Sequence, residues 1–215
     1  MDRKRIKKLT SQLFDCNDSP DIQVEYLEAI RSMDLEKLSY LETFGESVRH
    51  RLMNLDEYRR GLSFGFTEMK FNESGWIDNS DWKEVITIDA KVKKDKACFN
   101  SVEIACGLNG KWAYGLHYTY GAGAGGGWAL SVFNEAYDSR NACTVAGISD
   151  LIERFDKNIK HYSERPDSTN FKLDYMKRVL LVLNGLLQEY HVAINMVDDC
   201  EDANFAKQGG QLRLF

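Results

Sequence analysis

The chain has 215 residues, 43% of them hydrophobic and 12% aromatic, which is enough apolar material for a real core and excludes a disordered protein. Its 28 basic and 33 acidic residues give a net charge of −5, so the molecule as a whole does not attract nucleic acid or anionic membrane, and any such contact must be local. Five cysteines, an odd number with no CxxC pair, read as reduced thiols, mostly small core residues.

In chain order, the spacing of Ile6, Leu9 and Leu13 predicts a short basic helix over 2–14. Ser19, Pro20 and Asp21 then form a helix start, with Ser19 as cap and Pro20 at the first helical position, and that helix runs to about Met33. From 34 to 62, Leu38, Leu41, Phe44, Val48, Leu52, Leu55, Tyr58 and Leu62 recur at three- and four-residue steps, predicting one long helix. Part of that set fits a heptad seam, which opens a homodimer reading through helix 34–62. Arg51 sits on the seam where an apolar residue belongs.

At Phe64 the period changes to two. FGFTEMKF, WKEVITIDAKV, ACFNSVEIACGL, KWAYGLHYTY and WALSVFNEAY predict five strands of an antiparallel meander. Asn109-Gly110 predicts a tight hairpin turn, and Lys93–Lys96 a second one. Along the fourth strand, Trp112, Tyr114, Leu116, Tyr118 and Tyr120 alternate with Ala113, Gly115, His117 and Thr119. Helical spacing returns after an Asp138 or Ser139 cap, with Val145, Ile148, Ile152, Phe155, Ile159 and Tyr162 on one side. A last Leu-rich helix covers about 168–194. The fold class expected is α+β: N-terminal helices, a five-stranded antiparallel meander sheet and two C-terminal helices. Residues 1–195 read as a single domain (1–62 helical, 63–138 sheet, 139–195 helical), followed by a flexible tail, 196–215.

The run YGAGAGGGW contains Gly121-x-Gly123-x-x-Gly126, formally a dinucleotide fingerprint. The strand before it alternates like a half-solvated antiparallel strand, not the buried parallel strand that fingerprint needs, so the run reads as a hairpin loop. The four histidines are scattered without ligand spacing, and no nucleophile elbow, P-loop lysine or paired-carboxylate motif occurs. No catalytic residue, metal or cofactor is assigned; the first reading is a non-enzymatic accessory protein, and the alternative is a small-ligand-binding domain, an enzyme included, that uses the aromatic sheet face and the Gly-rich loop. The stretch GKWAYGLHYTYGAGAGGGWALSVFNEAYDSRNACTVAGISDLI, within 110–152, resembles small accessory proteins of phages and plasmids; the resemblance implies a mobile-element setting and no particular activity.

Three candidate surfaces follow. Arg3, Lys4, Arg5, Lys7 and Lys8 crowd the first helix, and Lys93, Lys94 and Lys96 crowd one hairpin, both candidate phosphate contacts with DNA; Arg49, Arg51, Arg59 and Arg60 add a third basic cluster. Tyr114, His117, Tyr118 and Trp128, with the Gly-rich loop, form a candidate small-ligand pocket and a stacking platform for single strands. Finally, Gln211-Leu212-Arg213-Leu214-Phe215 resembles the peptide by which bacterial polymerases and repair proteins dock on the replication sliding clamp, a pattern of Gln-Leu, commonly Ser or Asp, then Leu-Phe. Four of its five positions match, and Arg213 departs where the pattern bears on affinity. The resemblance implies a partner for Gln211, Leu212, Leu214 and Phe215. No run of about 18 apolar residues is present, so the chain is expected to be cytoplasmic with no membrane contact.

Overall fold

The computed structural model describes residues 3–16, 18–92, 99–121, 123–164 and 171–209, with backbone alone at residue 3 and from 192 onward. The chain divides into two compact units, Met1–Lys83 with Gly107–Gly110, and Glu84–Cys106 with Lys111–Phe215. The sequence reading groups 1–195 as one domain; the boundary between the two clusters of contacts falls at Lys83/Glu84.

The first unit is helical: α1 (Arg3–Phe14), α2 (Pro20–Ser32), α3 (Leu35–Glu42) and α4 (Val48–Leu62). Leu9 and Leu13, the predicted apolar side of α1, join Ile22, Tyr26, Leu41 and Leu52 in its core. Pro20 opens α2 as expected, but Ser19 makes no capping bond; its backbone is left-handed (φ 50°), and its hydroxyl donates to Asp56 at 3.0 Å.

The long helix expected over 34–62 is two helices. Gly45 (φ +148°) breaks it, and a Cβ there would come within 2.6 Å of the His50 Cβ. Ser47 then caps α4, its hydroxyl accepting from the His50 amide at 3.1 Å. Arg51, out of place in a heptad seam, closes this corner: its guanidinium donates to the carbonyls of Gly45 (2.7 Å) and Glu46 (3.2 Å) and to the Tyr26 hydroxyl (3.1 Å). Val48 and Leu55 are buried in their own unit, so the seam on which the homodimer reading rested does not exist as a continuous helical face.

The strand expected at 64–71 is also absent. The amides of Gly65 and Phe66 turn back to the carbonyls of Leu62 and Gly61 (3.1 and 3.0 Å), a Schellman closure of α4 with Gly65 at φ +84°. Phe64 and Phe66 are buried and meet Trp82 edge-on, both with centroids 5.2 Å away, so the alternation is real but its donors go to a helix end. Only Phe71 forms a bridge, to Ile77. Asn54, fully buried, ties this segment down: its amide donates to Phe44 and Gly75 carbonyls, and its oxygen accepts from Ile77.

The second unit holds a four-stranded antiparallel sheet in order β1 (Glu84–Asp89), β2 (Ser101–Cys106), β3 (Trp112–Thr119) and β4 (Gly125–Trp128). The predicted turn at Asn109-Gly110 joins β2 to β3, in a register that sets Ile104 opposite Tyr114. The fifth expected strand is displaced upstream: the Gly-rich run itself is the edge strand β4, pairing Gly125, Gly126 and Gly127 with Thr119, Tyr118 and His117. A side chain at Gly127 would collide with the Leu116 carbonyl oxygen, so these glycines mark close backbone approach. Residues 129–136 are irregular, and Tyr137 makes a single bridge to Trp112. The observed class is therefore α+β with four strands among the described residues, not five.

Helix α5 (Arg140–Ser163) starts on a Ser139 cap, as predicted, and packs on β2 and β3; α6 (Leu173–Gly209) packs on α5. Val102, Ile104, Leu116, Ile148, Leu151, Phe155, Met176 and Val179 fill the core between them. No Gly or Pro interrupts the chain between Asn195 and Gly209, and the helix continues to Gly209 where the reading ends it near 194; the part of the expected flexible tail up to 209 is thus helical backbone. Among the described residues no helix is long and apolar enough to cross a membrane.

Candidate functional site

Of the residues assigned to the candidate pocket, Tyr114, Tyr118 and Trp128 come together and His117 does not. The period of two along β3 sends Tyr114, Tyr118 and Tyr120 toward α5 and His117 to the opposite, exposed side. The alternation written out in the sequence already separates them. The tyrosines are not a row of solvent-facing rings: Tyr114 and Tyr118 are half-buried, Tyr120 is 8% exposed, and Tyr118 is open only along the groove it lines.

What meets these rings is a polar row on α5. Asp150, Arg154, Lys157 and Asn158 stand three and four residues apart, on one side of the helix. Arg154 is fixed from two directions. Its Nε donates to Asp150 Oδ1 (3.0 Å), and its guanidinium lies 4.5 Å from the Trp128 ring centroid and 5.9 Å from that of Tyr118. Asp150 is held in turn by the Tyr114 hydroxyl, which donates to Oδ2 at 3.1 Å. Asn158 donates to both the Tyr120 hydroxyl and the Arg154 carbonyl, each at 2.8 Å. Phe155, fully buried, backs the rings, its centroid 5.3 Å from that of Tyr120.

The result is an open groove of about 410 Å³ whose sheet wall is Tyr118 and Tyr120 and whose helix wall carries Asp150, Glu153, Arg154, Lys157 and Asn158. Burial, and then the neighbouring Asp150 carboxylate, push the Tyr114 phenol up to about 12. Tyr120 rises to about 12 as well, through burial and then Tyr118, so both stay protonated donors at neutral pH. For Arg154, burial pulls downward, but Asp150 and the Tyr118 hydroxyl outweigh it and the guanidinium ends raised. The Gly-rich strand contributes space: a Cβ at Gly126 would lie 2.9 Å from the Tyr118 hydroxyl, so glycine there lets that ring lie against β4.

No family model matches the chain, and no curated protein or solved structure is significantly similar to it. The site stands on its own geometry.

The basic clusters fare unevenly. On α4, Arg59 makes a two-pronged pair with Glu25 (2.7 and 3.0 Å), Arg60 pairs with Asp56 (2.8 Å) and Arg49 with Asp18 (2.9 Å). Arg51 is 14% exposed and Arg5 binds both oxygens of Glu42 (2.6 and 2.8 Å), so these arginines are engaged by carboxylates and carbonyls of the helical unit. Lys4, Lys7 and Lys8 are exposed on α1 and remain as a candidate phosphate contact. The side chain of Arg3, the hairpin lysines Lys93, Lys94 and Lys96, and the peptide Gln211, Leu212, Leu214 and Phe215 lie outside the described residues. Among the described residues no group of three His, Cys, Asp or Glu side chains is placed to hold a metal ion.

Asp150, Arg154 and Asn158 escaped the sequence reading because a polar row on an amphipathic helix looks like a solvated face. A signal was present: these residues recur on the same turns as the apolar set Ile148, Leu151 and Phe155, at its border rather than opposite to it.

Proposed function

We propose that the chain is a non-enzymatic accessory protein of bacterial DNA metabolism, carried by a phage, plasmid or conjugative element, that docks on the replication sliding clamp through Gln211, Leu212, Leu214 and Phe215. The observation that carries this reading is the peptide QLRLF itself, which matches the clamp-docking pattern at four of five positions. The chemistry supports it. Burying Leu214 and Phe215 in a partner's apolar pocket is worth roughly 1.5–3 kcal/mol each. Gln211 adds a directional hydrogen bond whose loss leaves a buried group unpaired. Ordering the peptide opposes part of that gain, so affinity falls at about the micromolar level. A tether of that strength still holds the folded units at high local concentration near DNA. Lys4, Lys7 and Lys8 then supply a weak, salt-sensitive phosphate contact.

Competition tests the reading. A synthetic peptide with a polymerase's clamp-docking sequence displaces the full chain from purified bacterial clamp if both use the same pocket. Retention of the chain at saturating peptide contradicts it.

A further inference from the structure

We infer that the groove between β3 and α5 is a nucleotide-binding site, in which Tyr118 stacks the base, Glu153 and Asn158 accept from its amino edge, and Lys157 with Arg154 takes the phosphate. Nothing in this inference depends on the clamp-docking peptide.

The groove, of about 410 Å³, has the size of a small-molecule site rather than a water pocket. Its sheet wall is aromatic: the Tyr118 and Tyr120 rings stand 5.2 Å apart, with Tyr118 the more open of the two. Rings of this kind accept another flat ring. Its helix wall offers both signs of charge. Asp150 is committed, with one oxygen on Arg154 and the other on Tyr114. That leaves Glu153 and Lys157, both exposed at the mouth, as the opposed groups a ligand meets. Asn158 uses its amide nitrogen on Tyr120 and on the Arg154 carbonyl, so its oxygen is the part left to accept.

A simple anion is a poor fit, because Glu153 repels it and the rings go unused. A purely apolar ligand would cover the Asn158 oxygen without a partner and make no use of Lys157 and Glu153. A ligand combining a flat ring, a donor edge and one anionic arm satisfies every wall, and that is the chemistry of a nucleotide with an amino-bearing base. The site is also built in advance: Asp150 and Trp128 restrain Arg154, and Gly126 gives the Tyr118 ring its position. Free mononucleotide and a unit of a single strand present the same groups, and the experiment separates them.

Calorimetry of the full chain with adenosine monophosphate, and anisotropy of a short labelled single-stranded DNA of mixed sequence, are the two arms. Binding in either arm, weakened about tenfold by Tyr118→Leu and by Lys157→Ala, supports the site; the first arm alone identifies free nucleotide, the second alone or both a strand. Lys157 is exposed, so Lys157→Ala keeps the test valid if Tyr118→Leu does not fold. Lys70→Ala, at an exposed lysine of the helical unit, binds as wild type. No binding in both arms, or unchanged binding by Lys157→Ala, overturns the inference, as does inorganic phosphate binding as tightly as the mononucleotide.

Discussion

The two units place their polar side chains differently. In the helical unit the charged groups close the chain on itself: Arg51 seals the α3–α4 corner, Arg5 and Arg59 clamp Glu42 and Glu25, and Asn54 holds the segment around Ile77. In the sheet unit the polar groups gather along one groove, where Asp150, Arg154 and Asn158 brace a wall of tyrosines. The first arrangement uses up hydrogen-bonding capacity inside the fold. The second leaves some of it facing outward, at Glu153, Lys157 and the Asn158 oxygen, which is what a binding surface requires.

The largest expected effect is on the core beneath the groove. Leu151→Ala removes a fully buried side chain between sheet and helices and is expected to cost about 3 kcal/mol, read by urea denaturation. Next comes Asn54→Ala, which strands two carbonyls and an amide in the helical unit and is expected to cost about 2 kcal/mol. If Asn54→Ala were neutral, the view that polar groups hold this unit together would be wrong.

How far these differences were legible in advance depends on what each residue is asked to do. Periodicity located α1, α2 and α5, and Ser139 marked the start of α5, because caps and apolar stripes act locally. The turn at Asn109-Gly110 was equally local. Phe64 to Phe71 misled because their alternation reflects two buried rings, while the amides that would pair a strand are taken by the end of α4. Gly125–Gly127 misled in the opposite sense: strand propensity penalises glycine, yet close backbone approach to β3 requires it. The groove was half legible. Tyr114, Tyr118 and Trp128 were named, but the residue that joins them, Arg154, lies on another element, and only tertiary packing puts it over Trp128.

Tyrosines of the sheet unit titrate late. Tyr114 and Tyr120 hold their protons up to about 12, against an ordinary phenol value of about 10 once unfolded. A raised folded value means that the unfolded chain ionises first. Their stabilising contribution is therefore complete below pH 10 and is lost as pH rises from 10 to about 12. Ultraviolet titration of the native protein should show tyrosines ionising late, and a single wave near 10 would count against the packed groove.

In the helical unit the Glu25 carboxyl shifts the opposite way. Arg59, donating to Glu25, holds that carboxyl below its ordinary value despite partial burial, so its contribution is present above about pH 4.5 and lost as pH falls through the folded value. A double-mutant cycle with Arg59→Ala and Glu25→Ala is expected to give a coupling of about 0.5 kcal/mol, the scale of a solvent-facing pair.

The central claim, that Gln211–Phe215 is a clamp-docking peptide, is tested most directly by calorimetry of the full chain with purified bacterial sliding clamp, comparing wild type with the Leu214→Ala, Phe215→Ala double variant. Wild type should bind with a dissociation constant of about micromolar magnitude, and the double variant should show no measurable heat. Equal binding by both proteins, or binding by neither, contradicts the account.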